Sequence, residues 1–96
     1  MTVNTQAQVE TDKAARYLKA LCNHFSRKVT ATYEGNHGDV KFGFGDCQMD
    51  ASETALVIRI QAENDEQLTR AKAVVADHLV RFAGDETLEV RWADQA

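Results

Sequence analysis

The sequence predicts an α+β domain in which two helices pack on one face of a mostly antiparallel sheet. Two segments carry apolar residues at three- and four-residue spacing, the pattern of a helix with one buried face. The segments around and between them alternate apolar and polar residues, as half-buried strands do. The predicted order is β-α-β-β-β-α-β, a variant of the ferredoxin-like arrangement with one extra strand. A single sheet face supplies the apolar surface that both helices need.

The first helix is predicted to begin after Thr11 or Asp12, either of which can cap it, and to run to about Arg27. Residues three or four apart share one face of a helix, so the helix has one core-facing stripe. That stripe consists of Ala14, Leu18, Leu21 and Phe25.

The second helix is predicted to start at a cap, Asn64 or Asp65, and to run to about Ala83. Gly84 is expected to end it, because glycine commonly follows the last turn of a helix. Its apolar stripe includes a histidine and consists of Leu68, Ala71, Val75, His78, Leu79 and Phe82.

The remaining segments are predicted as strands that cover residues 5–10, 29–33, 40–51, 56–60 and 88–92. The first strand has few apolar residues, so we expect a weak edge strand that follows a disordered start at residues 1–4. In the third strand the apolar phase shifts after Phe44, and an extra residue at Gly45, a β-bulge, would account for the shift. Phe42 and Phe44 are then expected to face the core.

The composition indicates one domain of 96 residues, long enough to hold a single hydrophobic core. The formal net charge is −4, so the surface repels phosphate backbones and anionic lipids, and neither nucleic acid nor a membrane is an expected partner. No signal peptide is apparent. We therefore expect a cytoplasmic protein, in which Cys22 and Cys47 are reduced thiols.

No sequence pattern indicates catalysis, a metal or a bound cofactor. Cys22 and His24 are two residues apart on a helix, so they point about 200° apart and cannot easily hold one ion. Neither cysteine has a neighbouring base, and Ser26 and Ser52 lie outside any nucleophile motif. The run at 41–45 lacks the third glycine of a dinucleotide loop and the residue order of an RNA-binding strand. Its two glycines either relieve crowding or let a ligand approach the backbone.

His78 and Arg81 each have two interpretations. His78 lies in the apolar stripe of the second helix, so it is either a core histidine with a hydrogen-bond partner or a functional histidine that binds a metal or faces a pocket. Arg81 is three residues further on and lies beside the stripe. We expect it to pair with an acidic residue beyond the helix, and the alternative is that it binds an anionic ligand. The acidic candidates are Asp85, Glu86 and Glu89.

Three blocks of the chain are distinctive: YLKALCNHF at 17–25, FGFG at 42–45 and HLVRFA at 78–83. In this order they resemble a small bacterial family known as domain of unknown function 2218. Members of that family occur alone or joined to domains similar to siderophore-interacting, flavin-dependent ferric reductases. The resemblance therefore implies an association with iron handling and no particular activity. The candidate ligand-binding residues that it implies are His24, Phe25, His78, Arg81 and Phe82.

The leading hypothesis is a non-catalytic binding or accessory module in bacterial iron or siderophore metabolism, with a small anionic ligand or a siderophore-related protein as its partner. A second hypothesis is a small enzyme that uses His78 or His24 as a general base. A third is a structural domain that forms a homodimer through an exposed sheet edge. A polar cleft that joins the two histidines to Arg81 would favour binding or catalysis, whereas a packed His78 bonded to backbone would favour a structural role.

Overall fold

The computed structural model describes residues 2–84 and 88–95. Both helices lie against a six-stranded antiparallel sheet, which confirms the predicted α+β class. The elements in chain order are β1 Val3–Glu10, α1 Ala14–Phe25, β2 Thr30–Glu34, β3 His37–Lys41, β4 Asp46–Ala51, β5 Ala55–Ala62, α2 Asp65–Ala83 and β6 Trp92–Gln95.

The strand order in the sheet is β2-β3-β4-β5-β1-β6, and every neighbouring pair is antiparallel. β1 lies inside the sheet between β5 and β6, so the expectation of an edge strand is wrong. β1 also begins earlier than predicted, at Val3, which is opposite Ala62. The strand is more buried than its number of apolar residues indicates, because the polar residue Thr5 is buried on the same face as Ala7 and Val9.

The segment predicted as one bulged strand forms two strands joined by a tight turn. β3 ends at Lys41 and β4 begins at Asp46, so the shift of apolar phase marks a chain reversal and not an inserted residue. The Phe42 N–H donates to the carbonyl oxygen of Gly45 (2.9 Å), which closes the turn. Gly43 has a φ of +90°, a conformation that favours glycine. The order of helices and strands otherwise follows the prediction.

The last strand lies further along the chain than predicted. β6 begins at Trp92, which is opposite Ala7 of β1. Leu88 and Val90 precede the strand and are partly buried against the core. Their alternation therefore reflects packing of an irregular segment, since an alternating pattern reports burial and does not require backbone pairing.

The start of α2 agrees with its sequence signals. Asn64 caps the helix, because its Oδ1 accepts a hydrogen bond from the Gln67 N–H (2.9 Å), and Gly84, with a φ of +61°, follows the last turn. Thr11 acts just before α1, where its Oγ1 accepts a hydrogen bond from the Lys13 N–H (3.1 Å). It therefore orders the turn that leads into the helix without capping the helix itself.

The core lies between the two helices and one face of the sheet. Each large aliphatic side chain buried there contributes roughly 1.5–3 kcal/mol relative to exposure. The largest fully buried side chains include Leu18, Leu21, Met49, Leu56, Ile58, Ile60 and Leu79. The opposite face of the sheet carries mostly polar side chains, as an antiparallel sheet with one solvated face allows.

Candidate functional site

An open cleft of about 460 Å³ forms where the C-terminal end of α1, the turn between β3 and β4, and the middle of α2 meet. The three segments converge because α1 and α2 pack side by side on the sheet and the turn projects from the sheet between them. The residues that line the cleft are His24, Phe25, Arg27, Lys28, Val29, Phe42, Phe44, Arg70, Val74 and His78.

Six rings form a continuous aromatic row along this cleft, in the order Phe44, Phe42, Phe25, His78, His24 and Phe82. The centroids of successive rings are 5.3, 5.0, 5.1, 4.6 and 5.7 Å apart. Phe42 and Phe44 are nearly parallel, with 14° between their planes, whereas Phe25 meets Phe42 edge to face at 83°. Each contact lies within the favourable range for aromatic pairs, so the row is a preformed apolar surface.

His78 is half-buried in this row and bonded to its own helix. Its Nδ1 lies 2.7 Å from the carbonyl oxygen of Val74, and because a carbonyl can only accept, Nδ1 carries the proton. In the neutral ring Nε2 is then an acceptor, and among the described residues it has no hydrogen-bond partner. His78 therefore combines features of both interpretations, since its ring packs against Phe25 and bonds to backbone and also lines the cleft.

His24 lies at the end of α1 and is exposed, with its ring 4.6 Å from that of His78. Desolvation of the ring against its neighbours lowers the pKa of His24 below its ordinary value, and the nearby His78, Arg27 and Lys28 add repulsion in the same direction. The neutral form of His24 is therefore favoured at neutral pH.

Positive charge is concentrated at the cleft although the whole chain is acidic. Arg27, Lys28 and Arg70 line it, and among residues 2–84 and 88–95 neither an aspartate nor a glutamate does. The Arg70 guanidinium carbon lies 4.5 Å from the centroid of the Phe44 ring, a cation–π contact that holds this charge over the aromatic row. A chain of net charge −4 thus presents a locally cationic, aromatic surface.

The structure brings together most of the candidate residues implied by the family resemblance. His24, Phe25 and His78 line the cleft, and Phe82 extends the aromatic row from its contact with His24. Arg81 is outside the cleft lining and is exposed. The arrangement therefore joins the two histidines but leaves Arg81 apart, and the bond from His78 to the Val74 carbonyl is the feature that was expected of a structural role.

Arg81 pairs within its own helix. Its Nη2 lies 3.4 Å from Asp77 Oδ2, one turn earlier, and both side chains are exposed. The predicted partners Asp85 and Glu86 lie outside the described residues. The third predicted partner, Glu89, pairs with Arg91 (2.7 Å). Arg81 therefore has an acidic partner within the chain, but the partner is Asp77 of the same helix and not one of the residues named from the sequence, since side chains four residues apart are neighbours on a helix.

Three contributors to the cleft escaped the sequence interpretation. Phe42 and Phe44 were expected to face the core from a strand, but they lie in the turn and form one wall of the cleft. Arg70 had no local signal, because its significance depends on the Phe44 ring that folding places beneath it. Gly45 serves packing, since a Cβ there would lie 3.1 Å from the Gln61 carbonyl oxygen, and Gly43 is open and supplies the turn.

The two cysteines are buried, are free and do not line the cleft. Burial raises the pKa of Cys22 to about 11, with the nearby Asp39 adding to the shift, and raises that of Cys47 to about 12. Both thiols are therefore poor nucleophiles. Cys22 is buried whereas His24 is exposed at the cleft, as their helical spacing predicts. Within residues 2–84 and 88–95 no group of three or more potential ligands is arranged to hold a metal ion.

A second polar cluster, which the sequence did not reveal, lies on the open face of the sheet. His37 Nδ1 is 2.8 Å from Asp50 Oδ1, and its Nε2 is 3.1 Å from Asp39 Oδ2. Arg59 also pairs with Asp50 (3.0 Å). The hydrogen bond to Asp50 is the main reason that the pKa of His37 lies above its ordinary value. The sequence indicates only that alternating residues of a strand, such as His37 and Asp39, share one face of the sheet. The pairing of β3 with β4 then places Asp50 opposite His37.

The fold and the cleft define a small α+β domain, and sequence comparison assigns its family. Residues 6–93 match the family described as "Uncharacterized protein conserved in bacteria (DUF2218)". The chain therefore belongs to this family, which confirms the resemblance drawn from the three sequence blocks.

Solved structures share the fold. The NMR structure of PA4090 from Pseudomonas aeruginosa is 32% identical in sequence, with a TM-score of 0.79 over 97% of this chain and 96% of that chain. The de novo designed protein Foldit4 has a TM-score of 0.52 at 14% identity, over 100% and 98% of the two chains, and is similar in fold alone. No curated protein matches this chain. In the part of the chain described, no helix has both the length and the apolar character needed to cross a membrane.

Proposed function

We propose that this protein is a non-catalytic binding domain of the bacterial cytoplasm whose cleft takes a small organic anion. The observation that carries the proposal is the composition of the cleft lining in the part of the chain that the structure describes: three cations and no acid, beside a row of aromatic rings, in a chain of net charge −4. Charge of this sign attracts an anion, and the exposed rings offer apolar surface that a ligand can cover.

The expected affinity is modest. Burial of apolar surface and partly exposed ion pairs favour binding, but the loss of translational and rotational freedom on association offsets much of that gain. We therefore expect a dissociation constant on the order of 1 mM. Such affinity is well within the range of titration by NMR.

Binding fits the cleft better than catalysis does. Among the described residues, no side chain with a hydroxyl, thiol or carboxylate group lines the cleft. A histidine acting as a general base there would therefore have to activate water or a group of the ligand as the nucleophile. The enzyme hypothesis is nevertheless favoured by one observation, because the bond from His78 Nδ1 to Val74 leaves Nε2 as a fixed acceptor at the cleft. The association with iron or siderophore metabolism stays part of the proposal, so ferric siderophores belong among the ligands to be tested.

The proposal is tested by titrating the isotope-labelled protein with organic anions and with matched neutral amides, and by following its amide chemical shifts. Hexanoate, benzoate and anionic ferric siderophores should shift residues 42–45 and the end of α1 at millimolar concentration, whereas hexanamide and benzamide should bind roughly tenfold more weakly. Arg70→Ala should weaken the binding several-fold. The matched control is Arg16→Ala, because Arg16 is an exposed arginine of α1 that does not line the cleft.

The proposal is wrong if none of the anions shifts the cleft residues at millimolar concentration, or if the neutral amides bind equally well. Equal weakening by Arg70→Ala and Arg16→Ala would also contradict it, since the effect would then follow net charge and not the cleft.

A further inference from the structure

We infer that the anion held by this cleft is a hydroxylated aromatic carboxylate, a planar ring that carries both a carboxylate and a hydroxyl group. The inference rests on the proposed function and names the ligand class for the same cleft. Three features support it: the shape of the aromatic row, the form of the positive charge, and the free acceptor of His78.

The aromatic row favours a planar ring over a saturated one. Phe42 and Phe44 are partly exposed, nearly parallel and part of the cleft lining, whereas Phe25, which meets Phe42 edge to face, is buried. A flat aromatic ligand can stack on an exposed part of such a ring or meet its edge, the two arrangements that aromatic pairs prefer. A puckered saturated ring of equal size covers similar area but makes neither contact.

The positive charge favours a carboxylate. The Arg70 guanidinium is held over the Phe44 ring at 4.5 Å and lines the same cleft, so a ligand beside that ring lies near a fixed positive charge. A guanidinium presents a planar pair of donors, which matches the two oxygens of a carboxylate. Arg27 and Lys28 stand at the other end of the cleft, on the segment that follows α1, and add to the potential.

The hydroxyl follows from His78. Its Nδ1–H is occupied by the Val74 carbonyl, which fixes the neutral tautomer with Nε2 as an acceptor. The other polar side chains of the lining are arginine, lysine and His24, and arginine and lysine can only donate. A ligand with two anionic groups and no donor would leave the His78 acceptor unused, whereas a ring hydroxyl can donate to it.

The test compares dissociation constants, measured by chemical-shift titration, for benzoate, meta- and para-hydroxybenzoate, cyclohexanecarboxylate and phenol. The better hydroxybenzoate should bind about three- to tenfold more tightly than benzoate, the effect of one hydrogen bond. Benzoate should bind about two- to tenfold more tightly than cyclohexanecarboxylate, the effect of aromatic contact. Phenol should bind about tenfold more weakly than the better hydroxybenzoate, because it lacks the carboxylate.

Two variants separate the roles of the residues. His78→Phe keeps a ring in the aromatic row but removes the acceptor, so it should abolish the preference for hydroxybenzoate over benzoate. The control is Tyr33→Leu, which alters an exposed aromatic residue outside the cleft and should change nothing.

The failures of this inference and of the proposed function are distinguishable. If cyclohexanecarboxylate binds as well as benzoate, if the hydroxyl adds no affinity, or if His78→Phe keeps the hydroxyl preference, the inference is overturned while anion binding stands. If no carboxylate in the series shifts the cleft residues, both proposals are overturned.

Discussion

The replacement Gly38→Ala tests how closely β3 and α1 approach each other. Gly38 is a buried residue of β3, and a Cβ at this position would lie 2.7 Å from the Cys22 Sγ and 3.4 Å from the Leu18 Cδ2. The first distance is shorter than real carbon contacts, and Cys22 and Leu18 are themselves fully buried in the core. Overpacking of this kind costs about 1–3 kcal/mol, so we expect the free energy of unfolding to fall by that amount.

A double-mutant cycle isolates the contact. Cys22→Ala alone removes the Sγ and should cost about 1 kcal/mol through the small cavity that it leaves. In the Cys22→Ala background the alanine methyl group at position 38 occupies the vacated space, so Gly38→Ala should then cost less than about 0.5 kcal/mol. The coupling energy, the difference between these two costs, should therefore be about 0.5–3 kcal/mol, the range found for residues in contact. Urea denaturation of the four proteins, followed by circular dichroism, measures it.

Gly35 provides the matched control for that cycle. It has a φ of +59°, and a Cβ added at this position would have no atom within 4 Å, so Gly35→Ala should cost about 1 kcal/mol through backbone conformation alone. That cost should be the same with and without Cys22→Ala. If Gly38→Ala is equally costly in both backgrounds, the contact with Cys22 does not explain the requirement for glycine, and the reasoning fails.

Two further predictions concern the histidines. His78→Ala should lower the free energy of unfolding by about 1–2 kcal/mol, because it removes half-buried ring contacts with Phe25; an unchanged urea midpoint would show that the aromatic row contributes nothing to stability. Asp50 raises the pKa of His37, so the stabilisation from this ion pair is fully present below about pH 6.5 and is lost as the pH rises through the folded-state pKa. His37→Asn should therefore cost more at about pH 5.5 than at about pH 8.5, by less than about 1 kcal/mol because the pair is exposed, and an equal cost at both would refute the assignment.

Much of the local structure could be predicted because its signals lie between near neighbours in the chain. The α2 cap at Asn64 and its end at Gly84 depend on residues within one turn, and both were predicted correctly. The single strand predicted at 40–51 was wrong for a related reason. A β-bulge and a tight turn both shift the apolar phase, and only pairing between Val40 and Cys47 distinguishes them.

The candidate site was predicted only in part. His24, Phe25 and His78 were candidates through the family resemblance, and the structure places them together in the cleft. Arg70 carried no signal, because an arginine on an exposed helix face is ordinary until a ring lies beneath it. The His37 cluster was missed because Asp50 lies on β4 and Arg59 on β5. The sequence does not show how these strands align with β3, which carries His37.

The sequence by itself determined the two amphipathic helices, the α+β class, the acidic net charge and the family, since each depends on composition or on spacing along the chain. The tertiary structure decided the position of β1 inside the sheet, the six-ring row and the concentration of cations beside it. The physical reason is the range of the contacts involved. A helix stripe is set by residues three and four apart, whereas the cleft joins residues near 25, 42 and 78, which become neighbours only when the helices and the turn pack on the sheet.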